Sequence, residues 1–201
     1  MDTNLESEIL FIKKIMQDSR RSALDSGKYY ILWGVLIGFA CITNYALYKI
    51  GSEISPNYFW FSFIIIGWGF SIYWGYKDSR KRKNTSLGKK VISAVWTACG
   101  ISAIVITIAG QVSGSISGAS ICALITTIFG VGYFVAGAVY SDKMLVTLSF
   151  VWWAAASWMF FIKGIEVLLV YGLFLLLFQV IPGFILNNKW KKDLEMNVEN
   201  A

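Results

Sequence analysis

The chain contains no histidine, only two prolines and three cysteines, and just 15% of its 201 residues are charged. The missing histidine removes the commonest metal ligand and the side chain that titrates nearest neutral pH. Cys41, Cys99 and Cys122 are odd in number, lack CxxC spacing and lie inside apolar runs. That pattern supports neither a disulfide framework nor a zinc site. No HExxH, phosphate-binding glycine loop or G-x-S-x-G occurs, and no apolar run holds a pair of acids. We therefore expect no enzymatic activity, no metal and no cofactor. A secretory leader is not expected either, because residues 1–28 are charged and lack a suitable apolar core.

Apolar residues are abundant instead, at 56% of the chain with a mean hydropathy of +0.58. Ordinary soluble domains run about 45–50% apolar and about 25% charged. The runs Tyr29–Tyr48, Pro56–Tyr76, Val91–Gly110, Ala119–Tyr140, Met144–Ile162 and Ile165–Leu186 each approach the roughly 20 residues that a membrane helix needs. They are continuously apolar rather than alternating, which favours helices over a barrel. The expected fold is all-α, polytopic, with six transmembrane helices in three hairpins. The expected units are an amphipathic helix over 1–28, a bundle over 29–187 and a tail over 188–201.

Basic residues are distributed unevenly among the loops. Of the 18 Lys and Arg, only Lys49 and Lys163 fall in the loops that close the first and third hairpins. The others precede the first run, follow the sixth, or lie in the two alternate loops. Basic loops remain cytoplasmic during insertion, so both termini are expected inside. The cluster Arg80, Lys81, Arg82 and Lys83 lies just beyond the second run. There it attracts anionic lipid headgroups, at about 1 kcal/mol per basic residue. This position argues for a lipid partner and against nucleic acid.

Residues 3–25 read as a cytoplasmic amphipathic helix. Thr3 and Glu6 have the spacing of a capping box, and Leu5, Ile9, Ile12 and Met16 recur at helical intervals. This apolar face is a candidate contact for lipid, a second copy of the chain or another protein. At the other boundary, Glu166 and Lys163 are spaced to pair.

Small residues recur at four-residue spacing: Gly34 and Gly38; Gly67, Ser71 and Gly75; Ala94, Ala98 and Ser102; and Gly118, Cys122, Thr126 and Gly130. Such stripes let helix backbones approach in lipid. Leu175, off these stripes, reads as lipid-facing. Trp33, Trp60, Trp74 and Trp190 read as interface anchors, while Trp68, Trp152 and Trp153 lie deeper and read as core. Trp33, Gly67 and Gly69 recur at an offset of 63 as Trp96, Gly130 and Gly132, a weak internal repeat. Pro182 should break the sixth helix near Gln179. Asn44, Trp152, Gln179, Pro182 and Gly183 are therefore the candidates for a cavity lining or a hinge.

The stretch Ser19-Arg20, followed by Ser26-Gly27-Lys28-Tyr29-Tyr30-Ile31-Leu32-Trp33-Gly34, resembles the start of uncharacterised bacterial six-span integral membrane proteins. Those also carry a short cytoplasmic helix before the first span. The resemblance implies a bacterial cytoplasmic membrane and supplies no activity. The expected function is that of a non-enzymatic interaction or regulatory protein. The alternative is a transporter or channel for a small molecule or ion that works without a buried titratable group.

Overall fold

A computed structural model describes residues 27–53, 56–81 and 87–199. It is all-helical, with no strand among the described residues. The elements are α1 (Lys28–Lys49), α2 (Pro56–Lys81), α3 (Leu87–Val112), α4 (Gly118–Tyr140), α5 (Lys143–Met159) and α6 (Glu166–Leu175). A π-helical turn, Leu176–Val180, then leads without a gap into α7 (Ile181–Glu199). The last three segments form one broken helix, so the described chain makes six helices in all. The expected contact face of Leu5, Ile9, Ile12 and Met16 lies outside the described residues, as do Arg82 and Lys83.

Four helices are long and apolar enough to cross a membrane: Lys28–Lys49, Gly88–Val112, Gly118–Tyr140 and Glu166–Lys192. These four spans are consistent with a membrane protein. The other two fall short for different reasons. α5 has 17 residues, about 25 Å at 1.5 Å per residue, against a hydrocarbon core of about 30 Å. α2 has 26 residues, but its tryptophans, tyrosines and glycines dilute the isoleucines and phenylalanines of its middle.

Local chemistry sets the helix boundaries around α4 and α5. Ser117 caps α4, its side chain accepting from the Ser120 amide at 3.2 Å. Ser141 ends α4 in the left-handed region at φ 52°. Asp142 then starts α5 at once, its Oδ1 accepting from the amides of Met144 and Leu145 at 2.8 and 3.3 Å. Side-chain oxygens at these positions satisfy amides that have no partner inside the helix.

Glycine explains the closest helix pair. α1 runs antiparallel to the whole broken helix, with Gly38 against Gly172 and Leu176, Gly34 against Gln179 and Val180, and Gly27 against Gly183. A Cβ on Gly172 would stand 3.0 Å from the Gly38 carbonyl oxygen, so a side chain there would press the two backbones apart by a few tenths of an ångström. The second close pair is α4 with α5, where the Trp153 indole covers Gly130 and Val146 covers Gly137. The tight Lys163-Gly164 turn makes α5 and α6 sequence neighbours, yet α5 packs mainly on α4.

α2 and α3 lie at the edges of this arrangement, α2 against α1 and α3 against α4. α2 is held by Trp33, whose indole covers Gly67 and donates to Ser71 Oγ at 3.1 Å. Trp33 is thus a bond between helices rather than an interface anchor. Trp68, expected in the core, is exposed, because the Gly67–Ser71 face of α2 is the one that meets α1. The stripe of Ala94, Ala98 and Ser102 is likewise exposed. α3 turns Ile92 and Cys99 inward instead, and the larger Trp96 beside them packs across Gly132. Leu175, expected to face lipid, is fully buried.

Candidate functional site

An aromatic cluster fills the space between the close pairs. The Tyr133 ring stacks on Trp152 at 5.3 Å and meets Tyr30 at 5.4 Å and Trp96 at 5.6 Å. Trp152 also meets Phe129 at 5.4 Å and Phe174 at 4.9 Å. One residue or more from each of α1, α3, α4, α5 and α6 meets in this cluster. Edge-to-face and offset contacts of this kind add about 0.5–1.5 kcal/mol per pair beyond area burial. Trp152 stands out in the sequence as a deep tryptophan, whereas Tyr133 carries no signal beyond its one-turn spacing from Phe129 on α4.

Asn44, Trp152 and Gln179 are all buried, at 2%, 0% and 3% exposure, but they do not converge. Gln179 packs on Gly34. Asn44 lies ten residues further along α1, about 15 Å away at 1.5 Å per residue. Asn44 donates to the Ala40 carbonyl at 2.8 Å, one turn back on its own helix. Its Oδ1, the Gln179 Oε1, the Trp152 Nε1 and the Tyr133 hydroxyl are buried without hydrogen-bond partners. Each such atom carries a desolvation cost of about 1–3 kcal/mol.

Pro182 and Gly183 are buried beside α1, and the break takes the form of the π-helical turn just ahead of them. Proline brings no amide hydrogen, so the carbonyl that position 182 would normally bond lacks that donor. A π turn is one of the ways a helix absorbs such a defect. Gln179 belongs to this turn, and its amide oxygen makes no bond there.

An open cleft of about 410 Å³ lies elsewhere, lined by Gly137, Ser141, Asp142, Lys143, Val146 and Thr147 among others. None of the five candidate cavity or hinge residues borders it. Beside it, Lys189 Nζ donates to Asp142 Oδ2 at 2.9 Å. Burial alone would raise the Asp142 carboxyl. The Lys189 ammonium and the two capping amides outweigh that and hold it below its ordinary value. At the opposite end of the bundle, Lys49 Nζ meets Glu166 Oε1 at 3.2 Å. Glu166 therefore pairs across helices with Lys49 rather than locally with Lys163. Neither ion pair was legible from spacing, since 47 and 117 residues separate the partners.

The basic end of α2 is described as far as Lys81. Arg80 is exposed, with its guanidinium 4.5 Å from the Tyr76 ring centre. Lys77 lies 6.0 Å from the Tyr73 ring. Lys28, at the start of α1, stands over both Tyr29 and Trp74, at 5.1 and 5.4 Å. Among the described residues no group of three or more His, Cys, Asp or Glu is placed to hold a metal.

Comparison of the chain with protein families, curated proteins and solved structures found no match.

Proposed function

We propose that the chain is a six-span protein of the bacterial cytoplasmic membrane, with both ends inside, that acts without catalysis by binding a partner. The uneven distribution of basic residues among the loops carries the orientation, and the two ion pairs support the grouping of segments at each end. Lys189–Asp142 joins two segments assigned to the inside, and Lys49–Glu166 joins two assigned to the outside. α5 completes a span with the apolar Phe160-Phe161-Ile162 that follows it, and α2 does so through its central Phe61–Phe70 stretch.

The observation that carries the binding role is the closed packing between α1 and the broken helix. Gly34 on Gln179 and Gly38 on Gly172 bring backbones together along the line where a solute path through Gln179 would run. A transporter remains the second reading, favoured by the unpartnered Gln179 amide oxygen in the π-helical turn. Broken helices of that kind line substrate sites in transporters.

Crosslinking in native membranes tests the reading. A photo-crosslinker at Leu5 should capture a discrete partner in the wild type and lose it in the Ile9→Asp/Ile12→Asp variant. Both substitutions precede the first span and leave insertion signals intact. An unchanged crosslinking pattern would refute the binding role. Solute uptake by purified protein in liposomes, abolished by Gln179→Leu, would establish the transporter instead.

A further inference from the structure

The inner end of α2 carries cations and aromatic rings in a fixed order. Tyr73, Tyr76, Lys77 and Arg80 fall on one helical face at i, i+3, i+4 and i+7. Side chains on a helix lean toward its N-terminus. Lys77 therefore lies back over Tyr73, and Arg80 over Tyr76, four residues earlier.

That lean has a consequence in a membrane. α2 has 26 residues and spans about 39 Å, which exceeds a hydrocarbon core of about 30 Å. Its last turns therefore emerge into the headgroup layer. A basic side chain near such an end ordinarily snorkels outward to water. Here both cations point back toward the bilayer over exposed interfacial rings, Tyr73 and Tyr76 each being 58% exposed. Their charge is drawn back along the helix toward the hydrocarbon boundary rather than extended into water.

Two further observations define the site. Lys49–Glu166 and Lys189–Asp142 are ion pairs, and neither Lys77 nor Arg80 takes part in either. Lys28 of α1 reaches the same level, seated on Tyr29 and on Trp74 of α2. Next to the cations, the outward face of α2 continues as exposed Phe70 and Ile72, a surface suited to acyl chains.

We infer that the inner ends of α1 and α2 form a binding site for the headgroup of one anionic phospholipid. Lys77 and Arg80 contact the phosphodiester, Tyr73 and Tyr76 hold those cations at its depth, and Phe70 and Ile72 lie along its chains. This site deepens the reading of the chain as a membrane protein. It does not depend on which side of the membrane the site faces.

The test is a titration of the full chain in mild detergent with phosphatidylglycerol or phosphatidylcholine, read by native mass spectrometry. Wild type should bind phosphatidylglycerol more tightly than phosphatidylcholine. Lys77→Gln/Arg80→Gln should lower phosphatidylglycerol affinity about fivefold per charge while leaving phosphatidylcholine binding unchanged. Lys191→Gln/Lys192→Gln removes the same charge from exposed positions on α7 and should preserve the preference. Tyr73→Leu/Tyr76→Leu keeps both charges and should still weaken it. Equal affinity of wild type for the two lipids would overturn the site. So would equal losses in the two double-charge variants, or displacement of the lipid by millimolar inorganic phosphate. Because the titration is made in detergent, an error in orientation, tested separately by cysteine labelling, leaves its result intact.

Discussion

Lys189 Nζ lies 2.9 Å from Asp142 Oδ2, while the other oxygen of the same carboxylate caps α5. One side chain thereby starts a helix and ties α7 to the α4–α5 turn. The two roles are separable by substitution. Asp142→Asn keeps an acceptor for the Met144 and Leu145 amides and loses the ion pair. Asp142→Ala loses both, and should cost about 0.5–2 kcal/mol for the cap alone. Thermal unfolding in detergent should rank wild type above Asn and Asn above Ala; equal Asn and Ala transitions would contradict the capping role.

The same carboxylate predicts a pH dependence. Its folded value lies below the ordinary one, so the folded state binds its proton less readily than the unfolded state. The stabilisation is then full above the unfolded value of about 3.9 and is lost as pH falls through the lower folded value. Wild type should lose stability relative to Asp142→Asn as pH drops from about 5 to about 3. Parallel pH profiles of the two proteins would rule out the linkage.

Orientation can be read by cysteine labelling in a background lacking Cys41, Cys99 and Cys122. Position 81 should react only after lysis and position 53 in intact cells. The reverse pattern would invert the assignment. The expectation rests on the uneven distribution of Lys and Arg among the loops.

Much of the helical layout was legible because membrane helices announce themselves by length and continuous apolarity. Small residues at four-residue spacing on α1 and α4 pointed to the close contacts that Gly34, Gly38 and Gly130 make. The same signal misled on α3, where Ala94 and Ala98 face outward. Spacing identifies a smooth helix face but not what lies opposite, and Trp96 on a neighbouring face found Gly132. Trp68 and Leu175 were exchanged for a related reason: in an apolar chain, hydrophobicity does not separate core from lipid surface. The candidate site was the least legible part. Gln179 and Asn44 stood out as polar residues in apolar runs, yet only three-dimensional packing places them apart along α1.

The Gly130 contact gives a stability prediction corrected by the fold. Its Cβ would stand 2.3 Å from the Trp153 indole nitrogen, which donates to the Thr127 carbonyl at 3.2 Å. Gly130→Leu should cost at least the roughly 1–3 kcal/mol usual for overpacking. Leu175→Ala, at a fully buried position, should cost about 2–5 kcal/mol. The lipid-facing control is Leu177, which is 53% exposed, and Leu177→Ala should change little. Comparable losses for Leu177→Ala and Gly130→Leu would remove the distinction between packed and lipid-facing positions.

The last prediction separates the proline from the glycine beside it. Proline is a common cause of such a break, but contacts on both sides of the π-helical turn also fix its register. Gly38 grips Gly172 before it, and Gly27 meets Gly183 after it. A Cβ at Gly183 would stand 2.8 Å from Ile31 Cγ1 and 3.0 Å from the Gly27 carbonyl oxygen. Because the second of these is backbone, relief requires the helices to separate. Pro182→Ala restores an amide donor and leaves both glycine contacts in place, so it should be nearly neutral. Gly183→Val should lower the unfolding temperature in detergent and weaken the α1 contact along its first two turns. A short bis-maleimide crosslinker between cysteines introduced at Ile31 and at Phe184, the neighbour of Gly183, in a background lacking Cys41, Cys99 and Cys122, reports that contact. It should survive Pro182→Ala and fall in Gly183→Val. If the proline variant alone loses the crosslink, the break is set by Pro182 rather than by the packing of α1 against Gly183.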